Sequence, residues 1–183
     1  MIGLRPFRPS DHGLVRRWID TWSVGEPFPQ GAPLHSDQDV RRIVRGNPEP
    51  NLARLAIEVD GRVIGEAQYR FGSPIFPPGV FSIGIVLWDR TDRGKGHGRE
   101  AQRQVVDLLF EAKDARRVEA GTDPGNVAER RCLVSLGFRE EGVLRKYLPS
   151  PEGGGDIVMY GLLREDWQER HGKRLEAATP PIG

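Results

Sequence analysis

The chain has 183 residues, enough for one domain around one sizeable core, and its 37% apolar and 29% charged content is ordinary for a globular protein. A formal net charge of +1 gives no global electrostatic case for nucleic acid or a membrane surface, and one cysteine, Cys132, excludes an intrachain disulfide. Met1 to Ser10 holds scattered charges without an apolar h-region, and no apolar run approaches the ~18–20 residues that span a bilayer. The expectation is a cytoplasmic protein with one domain over 1–172 and a flexible C-terminal tail over 173–183, where large apolar residues are few.

Ile2 to Arg8 reads as a first strand, and Ser10-Asp11 offers an N-cap for an amphipathic helix carrying Leu14, Val15, Trp18, Ile19 and Trp22. Residues 24–34 are rich in Gly and Pro and form a loop; Ser36 or Asp37 then caps a short helix with Val40, Ile43 and Val44. Ala53, Leu55, Ile57 and Val59 alternate with polar or small residues, Asp60-Gly61 follows, and Val63, Gly65, Ala67 and Tyr69 alternate again, which predicts a hairpin with a tight turn. After a Pro-rich loop comes a strand over 80–88 with Phe81, Ile83, Ile85 and Leu87 on one face. The period then changes: 98–113 is helical with Ala101, Val105, Leu108, Leu109 and Ala112 on one face, 117–121 is a strand, and 126–136 is a helix stopped by Gly137. Strands over 138–147 and 157–163 and a short helix over 164–170 complete the chain. A hairpin-rich half followed by strand-helix-strand-helix-strand predicts an α/β domain with helices on both faces of one central, twisted, mostly antiparallel sheet.

The chemistry concentrates in Arg93-Gly94-Lys95-Gly96-His97-Gly98, between a buried strand and a long helix. Glycines at alternate positions let backbone approach a ligand closely, the helix start presents free N–H groups and the positive end of its dipole, and Arg93, Lys95 and Arg99 add charge. This is an anion site. The spacing is neither that of a P-loop nor Gly-x-Gly-x-x-Gly, although Asp123 at the end of the next strand loosely fits the acidic residue of a dinucleotide site. The four histidines are scattered without metal-ligand spacing, so no metal is expected, and Cys132 beside Leu133 and Leu136 reads as a small buried hydrophobe.

Arg93-x-x-Gly96-x-Gly98 resembles the Gln/Arg-x-x-Gly-x-Gly/Ala signature of the GNAT superfamily of N-acetyltransferases. Ile83-Gly84-Ile85, Glu100-Ala101, Asn126-Val127-Ala128 and Leu136-Gly137-Phe138 are similar to segments of the same family, and Glu141-Gly142-Val143-Leu144-Arg145 with Asp156, Tyr160 and Asp166-Trp167 resembles its RimJ/RimL branch. The likeness spans roughly residues 2 to 167.

The resemblance implies transfer of an acetyl group from acetyl-CoA to a primary amine by direct attack. It implies that Ile85, Val86 and Leu87 lie along the pantetheine arm of coenzyme A, that Arg93, Gly94, Lys95, Gly96, His97, Gly98 and Arg99 hold its pyrophosphate, that Asn126 contacts the arm and that Arg130 flanks the adenine end. For Asn126, a plain N-cap is the competing reading. The sequence departs from the family where a general acid and base are wanted: Leu133 replaces the usual tyrosine, Ser82 replaces the usual glutamate, and Glu129 stands where some RimL-type members have serine. Glu66, Ser82, Tyr147, Tyr160 and Asp156 are the candidates for proton transfer, each with a structural alternative. On the acceptor side the expectation is Trp22, Glu26, Phe28, Tyr69 and Asp156, with Phe76 nearby. The acceptor is a protein N-terminus or a small amine, including an aminoglycoside; a non-catalytic acyl-CoA-binding domain and a nucleotide-binding module are the competing classes. No nucleic acid or membrane partner is expected, and a homodimer is left open.

Overall fold

A computed structural model describes residues 1–22, 36–46, 51–72, 77–148 and 155–178. Asp60 and Gly61 both take positive φ (49° and 81°), the pairing that a two-residue hairpin turn requires, and they join β2 (Leu52–Val59) to β3 (Arg62–Arg70). β1 (Ile2–Pro6) pairs with β2, and β3 pairs with β4 (Val80–Leu87), all antiparallel. β5 (Arg117–Thr122) joins β4 in parallel, and β6 (Arg139–Leu148) and β7 (Gly155–Leu163) complete a seven-stranded sheet in the order β1-β2-β3-β4-β5-β7-β6. The expected mixed, mostly antiparallel sheet is therefore observed.

Helices cover both faces. On one, α1 (His12–Trp22) and α2 (Asp37–Val44) pack Val15, Ile19, Val40 and Val44 against Phe7, Ala56 and Val63. Ser36 is the cap of α2: its hydroxyl accepts the Asp39 amide, and the Asp39 carboxylate accepts the Ser36 amide at 2.9 Å. On the other face, α3 (His97–Ala112) and α4 (Val127–Leu136) bury the main core around Val105, Leu109, Phe110, Val118, Leu133 and Tyr160.

The structure amends three sequence expectations. A bulge between Ile57/Glu58 and Gly65/Val63 breaks the alternation of β3, so Val63 joins the α1/α2 cluster while Ala67 and Tyr69 face the α3/α4 core. The buried stripe of α3 runs Ala101, Gln102, Val105, Val106, Leu109, Phe110; Ala112 is exposed. The final helix, α5, extends over Arg164–Ala178, past the expected end at Arg170, with the Trp167 ring stacked on Phe110 and its indole N–H donating to Asp107.

Candidate active site

The glycine-rich segment is anchored before it turns. Asp89 accepts the Thr91 amide and hydroxyl, each at 2.7 Å, which starts a single 3₁₀ turn over Arg90–Asp92. Asp92 is 2% exposed and takes a two-pronged bond from Arg62 at the start of β3, at 2.9 and 2.5 Å. That guanidinium, more than burial can oppose, holds the Asp92 carboxyl below the ordinary range. Gly94 (φ 73°) and Gly96 (φ 83°) then swing the chain through the left-handed region into α3, and a Cβ at either would meet no atom within 4 Å. Gly96 is the N-cap of α3 and offers no side chain, so the amides of the first turn are left to face an incoming anion. Arg93 donates to the Leu87 carbonyl (3.1 Å), tying the loop to the end of β4.

Beside this loop the sheet is forked. β4 and β5 pair only at Val80↔Arg117, Phe81↔Val118 and Ser82↔Glu119. Past Ser82, β4 keeps its β3 partners as far as Gly65↔Leu87, while β5 keeps β7 as far as Thr122↔Val158. A wedge with unpaired backbone on its β4 side thus opens from the Ser82↔Glu119 rung towards the α3 N-terminus. At the far side of the wedge Asn126 caps α4: its side-chain oxygen accepts the Glu129 amide at 3.3 Å and its NH₂ donates to Thr122 Oγ1 at 3.1 Å.

The sequence pattern of the Acetyltransferase (GNAT) domain family matches residues 2–139. The chain belongs to the GNAT acetyltransferase family. It is 31% identical over 157 residues to an aminoglycoside N(6')-acetyltransferase type 1 of Klebsiella pneumoniae, covering 78% of this chain and 76% of that protein. It is 23% identical over 167 residues to the N-acetyltransferase YnaD of Bacillus subtilis, covering 90% and 94%. Among solved structures, Mycobacterium smegmatis RimJ in complex with CoA-disulfide superposes with a TM-score of 0.74 at 26% identity, over 97% of this chain and 88% of that one, in accord with the RimJ/RimL-like branch. As a GNAT protein the chain is an acyl-CoA-dependent N-acetyltransferase, of the class that moves an acetyl group to an amine.

Within the GNAT frame the structure distributes the expected site residues unevenly. Ile85, Val86 and Leu87 lie half-buried along the fork, and residues 93–99 surround the start of α3. Arg99 reaches across to Ser135 Oγ at 3.0 Å. The Arg130 guanidinium is taken up by Tyr160 Oη (3.1 Å), the Pro124 carbonyl (3.2 Å) and Glu140 (3.3 Å), contacts directed to β7 and β6. Tyr160 is 1% exposed and donates to Glu140, so its hydroxyl is a satisfied core group. Glu66 is 3% exposed and ion-paired with Arg54 at 2.5 Å, opposite Val86 and away from the Ser82 rung. Tyr147 is exposed on the edge strand β6, separated from β5 by β7. Asp156 accepts the Lys146 amide at 2.8 Å and so closes the irregularity between β6 and β7. Tyr69 is packed edge-on against Phe81 in the main core, where burial pushes its phenol up. Trp22 ends α1; Glu26, Phe28 and Phe76 lie outside the described residues.

Sequence reasoning passed over a chain of hydrogen bonds between α3 and α4. Gln102, 1% exposed, donates to Glu129 at 2.6 Å and accepts from Cys132 Sγ at 3.5 Å. Burial raises the Glu129 carboxyl and pushes the Cys132 thiol up to about 12, which makes the cysteine an inert packing group. No cluster of His, Cys, Asp or Glu suited to a metal ion occurs among the described residues. No helix among them is long and apolar enough to cross a membrane.

Proposed function

We propose that the chain transfers the acetyl group of acetyl-CoA to a primary amine in a ternary complex, with the pyrophosphate at Arg93–Arg99 and the pantetheine arm in the fork between β4 and β5. The observation that carries this reading is the conjunction of the two features: an uncapped helix start behind two left-handed glycines, opening directly onto a wedge with unpaired strand backbone. The helix start suits a doubly charged pyrophosphate, and the strand edge suits an amide-bearing arm that needs hydrogen-bond partners. The thioester supplies the activated acyl carbon. Backbone N–H groups of Ile85 to Leu87 line the arm and polarise the acyl oxygen, and Asn126 stands where the arm passes the end of β5. Arg130, bound to β6 and β7, is left out of this assignment.

For the acceptor we favour a small cationic amine of the aminoglycoside type, because the likeness to an aminoglycoside N(6')-acetyltransferase reaches 31% identity over 157 residues, 78% of the chain. A protein N-terminus is the second reading, supported by the likeness to RimJ over 97% of the chain. The reaction would proceed in the cytoplasm, where Cys132 stays reduced. Thermal unfolding with acetyl-CoA, NAD and ATP in parallel tests the cofactor. At ~100 times its dissociation constant, the right ligand stabilises the fold by about 2.7 kcal/mol. Stabilisation by acetyl-CoA alone supports the reading; stabilisation by a nucleotide alone overturns it. Thiol release with kanamycin and with unblocked peptides then separates the two acceptors.

A further inference from the structure

Deprotonation of the acceptor needs a base at the closed end of the fork, and of the five candidates the sequence offers, the two on β3 and β4 do not supply one. Ser82 is a neutral alcohol, and Glu66 is shut in by Arg54. The register of the sheet brings another carboxylate to the same place. In the last paired rung before the strands part, Ser82 stands opposite Glu119. Residues opposite each other share a face. Their neighbours Phe81, Ile83, Val118 and Ala120 are all in the α3/α4 core, so Ser82 and Glu119 both face the other way. An arm entering the wedge from the α3 loop points its acyl end towards where the strands rejoin, so an acceptor amine meeting the thioester beside the Ile85 amide lies between that amide and this rung.

We infer that Glu119 is the general base of the transfer, the group that takes a proton from the acceptor ammonium at the apex of the fork. This rests on the cofactor placement proposed above. The surroundings of Glu119 are built for a reachable carboxylate. Its side chain is 20% exposed, against 4% for Glu66. Its partner on β7 is Gly161, over which Glu141 and Arg117 fold, and its neighbour Gly121 is covered by Ile157 and Met159. Gly84, next but one after Ser82, is covered by Gln68. Among the described residues, the charged groups near Glu119 on this face are Arg117, with Nε 3.3 Å from Glu119, Glu141, whose own partner is Arg117, and Arg70 opposite Ser82; the Arg54–Glu66 pair lies further along it, opposite Gln68 and Val86. Arg117 orients Glu119 while Glu141 shares the guanidinium.

The step closes in atoms and charge. Glu119 accepts one proton from the ammonium, and the freed nitrogen lone pair forms the C–N bond to the acyl carbon. The C–S bond breaks, and the thiolate takes the second nitrogen proton. The proton on Glu119 then passes to water.

The test compares wild type with Glu119→Gln and Glu119→Asp, using acetyl-CoA with kanamycin and with an unblocked alanyl peptide, read by thiol release. Expected for Glu119→Gln is a fall in kcat of roughly 100-fold or more, with acetyl-CoA still shifting the melting temperature as in wild type. Its rate should climb steadily with pH towards the pKa of the acceptor amine, because free amine must then come from bulk solvent; the wild-type profile should level off earlier. Glu119→Asp should recover part of the loss. A Glu119→Gln enzyme with wild-type kcat and pH profile overturns the inference and leaves the proposed function standing. Wild type that binds acetyl-CoA but turns over neither amine overturns Glu119 as a base. Wild type that fails to bind acetyl-CoA overturns the proposed function first.

Discussion

Single side chains here report their surroundings through their proton affinity. Glu129 lies between α3 and α4 with the Gln102 amide as its hydrogen-bond donor, and desolvation raises its carboxyl above the ordinary range. A raised carboxyl destabilises the fold when it is charged: stability is full below the unfolded pKa of Glu, ~4.3, and falls as pH rises through the folded value. Glu129→Gln should therefore match wild type near pH 4 and unfold at a higher temperature than wild type at pH 8, which a pair of melting curves checks. Asp11 shows the opposite sign. Burial pushes its carboxyl up, but the Arg5 guanidinium (2.8 and 3.1 Å) and the Arg8 amide prevail and hold it below the ordinary range. Its contribution is present at neutral pH and is lost as pH falls through the folded pKa. Asp11→Ala should cost about 2 kcal/mol at pH 7, less than a fully enclosed pair because Arg5 keeps Glu58, and the difference from wild type should shrink in acid.

At the scale of elements, the glycine loop is the place where sequence alone said most. Glycines at 94 and 96 and the helix behind them were enough to predict an anion site, and the structure gives both glycines positive φ. Gly96→Ala should thus act twice. The left-handed cap costs about 1 kcal/mol for a residue with a Cβ, a modest fall in melting temperature. The added methyl meets no protein atom within 4 Å; with the pyrophosphate placed as proposed it would take up ligand space, and acetyl-CoA affinity should then drop far more than stability does. Equal affinity in the variant would dislodge the pyrophosphate from this loop. The anchor of the loop was not legible, because Arg62 and Asp92 are separated by 30 residues and meet only once β3 and β4 are paired. Strand alternation was legible too, except at the bulge, where the extra residue Ile64 reverses the faces in a way no local pattern announces. Arg130 and Asp156 illustrate the same limit. Besides the nearby Pro124 carbonyl, Arg130 meets Tyr160 on β7 and Glu140 on β6, and Asp156 meets Lys146, contacts that arise from β6–β7 pairing the sequence does not encode locally.

For the whole molecule, the decisive property is that one sheet holds together while its middle is open. β3 grips β4 closely: a Cβ on Gly65 would overlap the Val86 carbonyl oxygen, so β4 is fixed from the β3 side even where β5 has left it. β5 in turn is fixed by β7 along its whole length, Arg117↔Leu163 to Thr122↔Val158. The two halves are each held by their own strand pairing and each backed by the α3/α4 core. Backbone in 83–87 therefore has a strand partner on one side only, and exchange of its amides with solvent should be faster than for amides of β3, which is flanked on both sides. If the arm of acetyl-CoA completes the open side as an added strand, hydrogen exchange over 83–87 should slow markedly on adding the cofactor, as should exchange in 93–99, while peptides from β1 and β2 change little. Uniform slowing across the sheet would instead mean that the ligand merely stabilises the fold globally, and the fork would lose its claim to be the binding groove.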